Sequence, residues 1–103
     1  MKVITICGSL KFQNEMIEIA KKLTLKGNCV ITPIYQVLED NKFSSEELEK
    51  FKKSHFKKIE LSDSILVVNI NNYIGTSTNL EIEYAKKSNK EIIYYTDIIN
   101  DLV

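Results

Sequence analysis

Two kinds of apolar stretch alternate along this chain. Short runs rich in β-branched residues read as strands, and longer polar stretches with recurring apolar positions read as helices. The first run is Lys2-Val3-Ile4-Thr5-Ile6-Cys7, which stops at Gly8-Ser9-Leu10. A helix follows from about Phe12 to Leu25, with Phe12, Met16, Ile19, Ala20 and Leu23 on one face. Gly27 suits the left-handed position just past its end. Asn28-Cys29-Val30-Ile31-Thr32 is a second strand, closed by the only proline, Pro33. Ile34 to Lys42 has no period and reads as a loop or lid. From Ser44 to about Leu61 a second helix carries Leu48, Phe51, His55 and Ile59 as its stripe. Ser64-Ile65-Leu66-Val67-Val68-Asn69-Ile70 is very apolar and reads as a buried strand. A turn leads to a third helix starting near Thr78, and Glu91-Ile92-Ile93-Tyr94-Tyr95 is a fourth strand. Asp97 to Val103 reads as a short helix or a tail that docks on a partner.

This alternation predicts one α/β domain over residues 1–103, Rossmann-like or flavodoxin-like. Right-handed crossovers give a mostly parallel four-stranded sheet in the order 2-1-3-4, with helices on both faces. Strands one and three then flank the topological switch point, where such sheets bind ligands beyond their carboxyl ends. Gly8-Ser9-Leu10 and the segment from Asn71 to Thr78 face each other across that crevice.

The third helix carries a carboxylate at an informative place. On a helical projection Leu80, Tyr84 and Ala85 mark the buried side, and Glu81 lies between Tyr84 and Ala85. Glu83, Lys86 and Lys87 fall on the solvated side. An inward carboxylate needs a partner or a function. A structural alternative exists, because Thr78-Asn79-Leu80-Glu81 fits a capping box, as does Ser44-Ser45-Glu46-Glu47.

Composition narrows the partners. Net charge is zero, and a general nucleic-acid binder needs a basic surplus. All the basic residues except His55 are lysines, so a phosphate would be held by backbone N–H groups, hydroxyls or lysine, without a guanidinium fork. Cys7 and Cys29 sit in apolar surroundings without metal-ligand spacing, and read as buried free thiols of a reducing compartment. Neither a signal peptide nor a membrane-length apolar run is visible, so the expectation is a cytoplasmic protein.

Other chemistry-bearing residues have two readings each. Gly8-Ser9-Leu10 could offer amides to an anion or be an ordinary strand-to-helix turn; it is neither a dinucleotide fingerprint nor a P-loop. His55, the only histidine, shares a face with Phe51 and Ile59 and reads as a core or interface residue with a possible place near a substrate. Asp63 either precedes a strand structurally or supplies a second carboxylate near the crevice. Tyr73, at a strand end, could cover a flat ring.

Taken together, Ile6-Cys7-Gly8-Ser9-Leu10, Val30-Ile31-Thr32-Pro33, Asp63 before its apolar strand, and Gly75-Thr76-Ser77-Thr78-x-x-Glu81-Ile82-x-Tyr84-Ala85 carry a resemblance. Over nearly its whole length the chain resembles the nucleoside 2-deoxyribosyltransferase-like superfamily. That group includes nucleoside 5′-monophosphate N-glycosidases, to which the Cys-Gly-Ser-Leu segment looks closer. The resemblance implies that Glu81 attacks the anomeric carbon and forms a covalent glycosyl–enzyme intermediate, resolved by water or by a second base. It implies that Asp63 orients the substrate and protonates the base. Gly8, Ser9 and Leu10 would line the pocket, with Tyr73 and Gly75, while Ser77 and Thr78 would hold a 5′-phosphate or a sugar hydroxyl. Members are dimers or larger, and a neighbouring subunit often completes the site. Thr5 stands where many members have a tyrosine that bonds the nucleophile. Gly75 replaces an aspartate of the transferases, Glu83 a glycine, and Lys11 a phosphate-holding arginine of some hydrolases.

The expectation is therefore an N-glycosidase of a nucleoside or nucleoside monophosphate, needing no metal or cofactor, with no nucleic-acid or membrane partner. The alternatives are a nucleotide- or ADP-ribose-type binding module that lost the chemistry, and a structural or regulatory subunit.

Overall fold

The computed structural model describes residues 1–35 and 42–102. Of the loop or lid expected over Ile34 to Lys42, residues 36–41 lie outside the described residues. Strand β1 (Val3–Gly8) leads through a 3-10 turn at Leu10–Phe12 into helix α1 (Gln13–Leu25). Strand β2 (Cys29–Ile31), helix α2 (Ser45–Glu60) and strand β3 (Ser64–Val68) follow. After a 3-10 turn at Ile70–Asn72 come helix α3 (Thr76–Lys87), strand β4 (Glu91–Tyr94), helix α4 (Tyr95–Ile98) and a final 3-10 turn at Ile99–Leu102. The strands form one sheet in the order β2-β1-β3-β4, and every pairing is parallel. Fold class and strand order are those expected from the pattern.

Strand alternation sorts the core into two halves. Ile4, Ile6, Leu66 and Val68 face α1 and pack with Met16, Ile19 and Leu23. Cys7, Ile65 and Val67 face the other way and pack with Ile59 of α2 and with Ile82 and Ala85 of α3. All five residues of β3 are buried, as a central parallel strand covered on both faces requires. The parity along β1 decides what reaches the site: Thr5 and Cys7 point to the α2/α3 side.

Local signals set the helix ends. Gly27, at φ +99°, follows α1 in the left-handed region, as expected. The Ser44–Glu47 capping box closes: Ser44 Oγ accepts from the Glu47 amide at 3.1 Å, and the Ser44 amide donates to Glu47 Oε1 at 2.9 Å. Replacing Ser44 by alanine should cost about 1 kcal/mol, visible as a lower urea midpoint with unchanged slope.

Three expectations need correction. Helix α3 begins at Thr76, because Gly75 is extended (φ −78°, ψ 172°) and serves as N-cap without a side-chain bond. Glu81 therefore sits in the second turn, and the Thr78–Glu81 capping box does not form. Of the two readings of the C-terminal segment the short helix holds, in α4 and its 3-10 continuation, and the segment docks on its own chain: Leu102 is buried against the core that includes Ile4 and Ile6. Cys29 is exposed, since β2 is an edge strand.

Candidate active site

Parallel strands end together, and the helices that leave them open a hollow there. A cavity of about 710 Å³ lies at the carboxyl ends of β1 and β3. Gly8, Ser9 and Leu10 form one wall, and Tyr73, Gly75, Ser77, Thr78 and Glu81 another. Helix α2 covers it with Leu48, Phe51 and His55, so the upper part of the α2 stripe faces the hollow instead of the core. The cover was not apparent from the sequence. Gly8 is at a close approach, where a Cβ would lie 3.2 Å from both Met16 Sδ and Val68 Cβ.

Two consecutive asparagines make the turn that aims α3. Asn71 and Asn72 take φ of 55° and 60°, a region asparagine tolerates better than most residues. Asn69 anchors the turn, donating its amide to Thr96 Oγ1 at 3.1 Å and accepting from the Thr96 amide at 3.2 Å. The N-terminal turn of α3 then faces the cavity through Gly75, Thr76, Ser77 and Thr78. Its first amides have no side-chain cap.

On α3 the buried side is Thr78, Ile82 and Ala85. Leu80 is exposed at the cavity rim and Glu83 is solvated. Glu81 lies one step from Ile82 and Thr78, and its side chain keeps only 19% exposure. Burial pushes its carboxyl up from 4.5 to about 7, with a hydrogen bond from the Cys7 thiol pulling partly back. Desolvation dominates because no lysine offsets the charge.

Two neighbours complete the floor. His55 Nε2 lies 3.6 Å from Glu81 Oε1 and 3.4 Å from Cys7 Sγ. The histidine contact is not an ion pair at neutral pH. Burial first, and then the Lys58 charge, lower the imidazole from 6.5 to about 4, so it is neutral there. Burial raises the Cys7 thiol well above its usual range, and the Glu81 charge adds to this. His55 Nδ1 is buried without a hydrogen-bond partner among the described residues. An unpaired acceptor is tolerated better than an unpaired N–H, which favours the proton on Nε2, facing the carboxylate.

No family model matches the sequence, and no curated protein matches it. Solved structures do match. A 2-deoxyribosyltransferase from Bacillus psychrosaccharolyticus superposes with a TM-score of 0.70 at 17% identity, over 89% of this chain and 70% of that one. A 2-deoxyribosyltransferase from Leishmania mexicana gives 0.68 at 15%, over 91% and 63%. The CMP N-glycosidase of Clostridium botulinum gives 0.59 at 20%, over 98% and 80%. The chain has the nucleoside 2-deoxyribosyltransferase-like fold.

Within that fold Asp63 is not where the sequence reading put it. It precedes β3, at the amino-terminal edge of the sheet, and is absent from the cavity lining. Its carboxylate accepts from the Val3 amide at 2.7 Å, and its backbone bonds Val3 and Glu91. The length of β3, about 16 Å, separates it from the carboxyl end. Asp63 therefore ties together the starts of three strands. At the carboxyl end of β3 stands Asn69, engaged with Thr96. The one other carboxylate on the cavity lining among the described residues is Glu49 of α2.

Two further positions of the deoxyribosyltransferase-like fold differ from expectation. Thr5 bonds the Lys58 carbonyl and Ser62 in the buried layer and is not on the cavity lining. The polar neighbour that β1 offers Glu81 is Cys7, two residues on and on the same face. Tyr73 lines the cavity, yet Lys11 Nζ lies 3.3 Å from the centre of its ring and Phe12 packs against it in a T-shaped pair. One face of Tyr73 is thus already used. No helix among the described residues is long and apolar enough to cross a membrane.

Proposed function

We propose that this chain cleaves the base–sugar bond of a nucleoside or nucleoside 5′-monophosphate, with Glu81 as nucleophile. One observation carries the reading: a carboxylate, otherwise buried, opens into a cavity at the carboxyl ends of β1 and β3. Neighbours of this fold are named 2-deoxyribosyltransferase and CMP N-glycosidase, which supports base–sugar chemistry as the class.

In this mechanism a Glu81 carboxylate oxygen attacks the anomeric carbon. The bond to the base breaks and its electron pair leaves with the base. A glycosyl ester joins sugar to Glu81 until water cleaves it. His55 Nε2–H steadies the carboxylate in its attacking orientation. With Asp63 at the far end of the sheet, the proton for the departing base comes from solvent. The uncapped amides at the α3 start, with Ser77 and Thr78, suit a phosphate or sugar hydroxyl in the absence of arginine. Ser9 lies opposite, and Leu10 and Phe51 supply apolar wall for a base.

The test is incubation with a pooled library of nucleosides and 5′-monophosphates, read by mass spectrometry. Free base and the matching pentose, or pentose 5-phosphate from a monophosphate, should appear together. A folded protein that binds a nucleotide and releases no base from any member would instead be a binding module.

The raised carboxyl pKa sets a pH signature. Only ionised Glu81 attacks, so kcat/KM should fall about tenfold per pH unit well below pH 7 and level off above it. A profile measured from about pH 5 to about 9 that stays flat through neutrality would remove Glu81 from the step.

A further inference from the structure

The Cys7–His55–Glu81 cluster is more than a set of partners for a nucleophile. We propose that it binds a zinc ion reversibly, through Cys7 Sγ, His55 Nε2 and a Glu81 carboxylate oxygen. The three ligand atoms all lie within 4.8 Å of one another. Two of the three separations lie within about 0.3 Å of what zinc needs. A tetrahedral ion with Zn–S near 2.3 Å and Zn–N or Zn–O near 2.05 Å sets sulfur and nitrogen about 3.6 Å apart, and nitrogen and oxygen about 3.3 Å. The corresponding separations are 3.4 Å for Cys7 Sγ to His55 Nε2 and 3.6 Å for His55 Nε2 to Glu81 Oε1.

The chemistry of the set agrees with its geometry. Thiolate, imidazole and carboxylate are zinc ligands, and three protein ligands leave one position, which here faces the cavity that His55 and Glu81 line. Binding breaks the Cys7 S–H bond, forms a Zn–S bond and sends the proton to solvent, as it does any proton on Glu81; His55 moves its ring proton from Nε2 to Nδ1, which frees the Nε2 lone pair for the ion. Thiolate and carboxylate together cancel the charge of the ion, so the loaded cluster is neutral, as a buried position demands. The three residues come from β1, α2 and α3, and all three elements are fixed by the core beneath them. His55 Nδ1 lacks the acceptor that strengthens metal-bound histidines, so binding is weaker than at a closed structural site and therefore reversible. Zinc binding does not depend on the glycosidase reading. Its consequence does: zinc draws charge from the Glu81 carboxylate and holds its orientation, so the loaded form attacks a sugar more slowly than the metal-free form.

Cobalt reports such a site directly. Titration of the metal-free protein with Co²⁺ should give a thiolate-to-cobalt charge-transfer band and four-coordinate visible bands, saturating at one equivalent and abolished by added Zn²⁺. Cys29→Ser should leave the spectrum unchanged, since that thiol is exposed on another strand. Cys7→Ser should lose the charge-transfer band. His55→Gln and Glu81→Gln should each weaken binding by at least the roughly 10–100-fold that loss of an outer partner alone produces. No charge-transfer band in folded wild type, or a band that survives Cys7→Ser, would overturn the proposal. Should Cys7→Ser not fold, unchanged Co²⁺ affinity in Glu81→Gln would overturn it equally. Neither result touches base release, which is measured without metal.

Discussion

Glu81→Gln should reduce base release by roughly 10³-fold or more while leaving the circular dichroism spectrum unchanged. The amide keeps the shape of the side chain and its place between Cys7 and His55, but it cannot form a glycosyl ester. The substitution changes no core contact, since Ile82 and Ala85 carry the packing of α3. The comparison is made under single-turnover conditions with the substrate identified from the pooled library. Trapping would strengthen it: wild type quenched during turnover should carry one pentose, or one pentose 5-phosphate from a monophosphate, on the peptide containing Glu81, and the variant none. A variant that retains wild-type turnover would eliminate the nucleophile, and with it the reading of the cavity as a glycosidase site.

The same substitution should change how stability depends on pH. In the fold the Glu81 carboxyl titrates near 7 instead of 4.5, because burial disfavours its charge. The native state then holds this proton more tightly than the unfolded chain. Its contribution is complete below pH 4.5 and is lost as pH rises through about 7. The shift corresponds to about 3 kcal/mol. His55 has the opposite sign. Its pKa falls from 6.5 to about 4, so its contribution is complete above 6.5 and is lost as pH drops through about 4. In wild type the two slopes oppose each other between pH 4.5 and 6.5. In Glu81→Gln only the histidine slope remains. Urea unfolding across this range should therefore show the variant gaining about 3 kcal/mol on wild type from low to high pH, and parallel curves would mean that Glu81 is not buried ionisable.

How far the sequence reached is clearest at the residues themselves. The β-branched runs and the helical stripes determined the elements, and parallel connectivity determined the order β2-β1-β3-β4. Those are local and topological rules, and β3 with its five buried residues obeys them fully. Gly27 and the Ser44–Glu47 box are backbone chemistry within a few residues, and both read correctly. The inward tilt of Glu81 was also legible from periodicity, although α3 starts two residues before the expected point.

What failed depended on distances along the fold. Asp63 lies one residue before the strand whose far end builds the cavity. Sequence proximity to a strand does not say which end of it a side chain occupies in space, and direction along a parallel sheet decides that. The partnership of Cys7 with His55 and Glu81 was missed for a related reason. A cysteine on β1, a histidine on α2 and a glutamate on α3 share no spacing; only strand parity and helix packing bring them within contact. The sequence by itself determined where strands and helices form and most of what they bury, because those follow from neighbouring side chains; on α3 it missed, since Leu80 is exposed and Ile82 is buried. Only the tertiary structure decided which buried polar groups meet, because that depends on where three separately specified elements cross above one sheet.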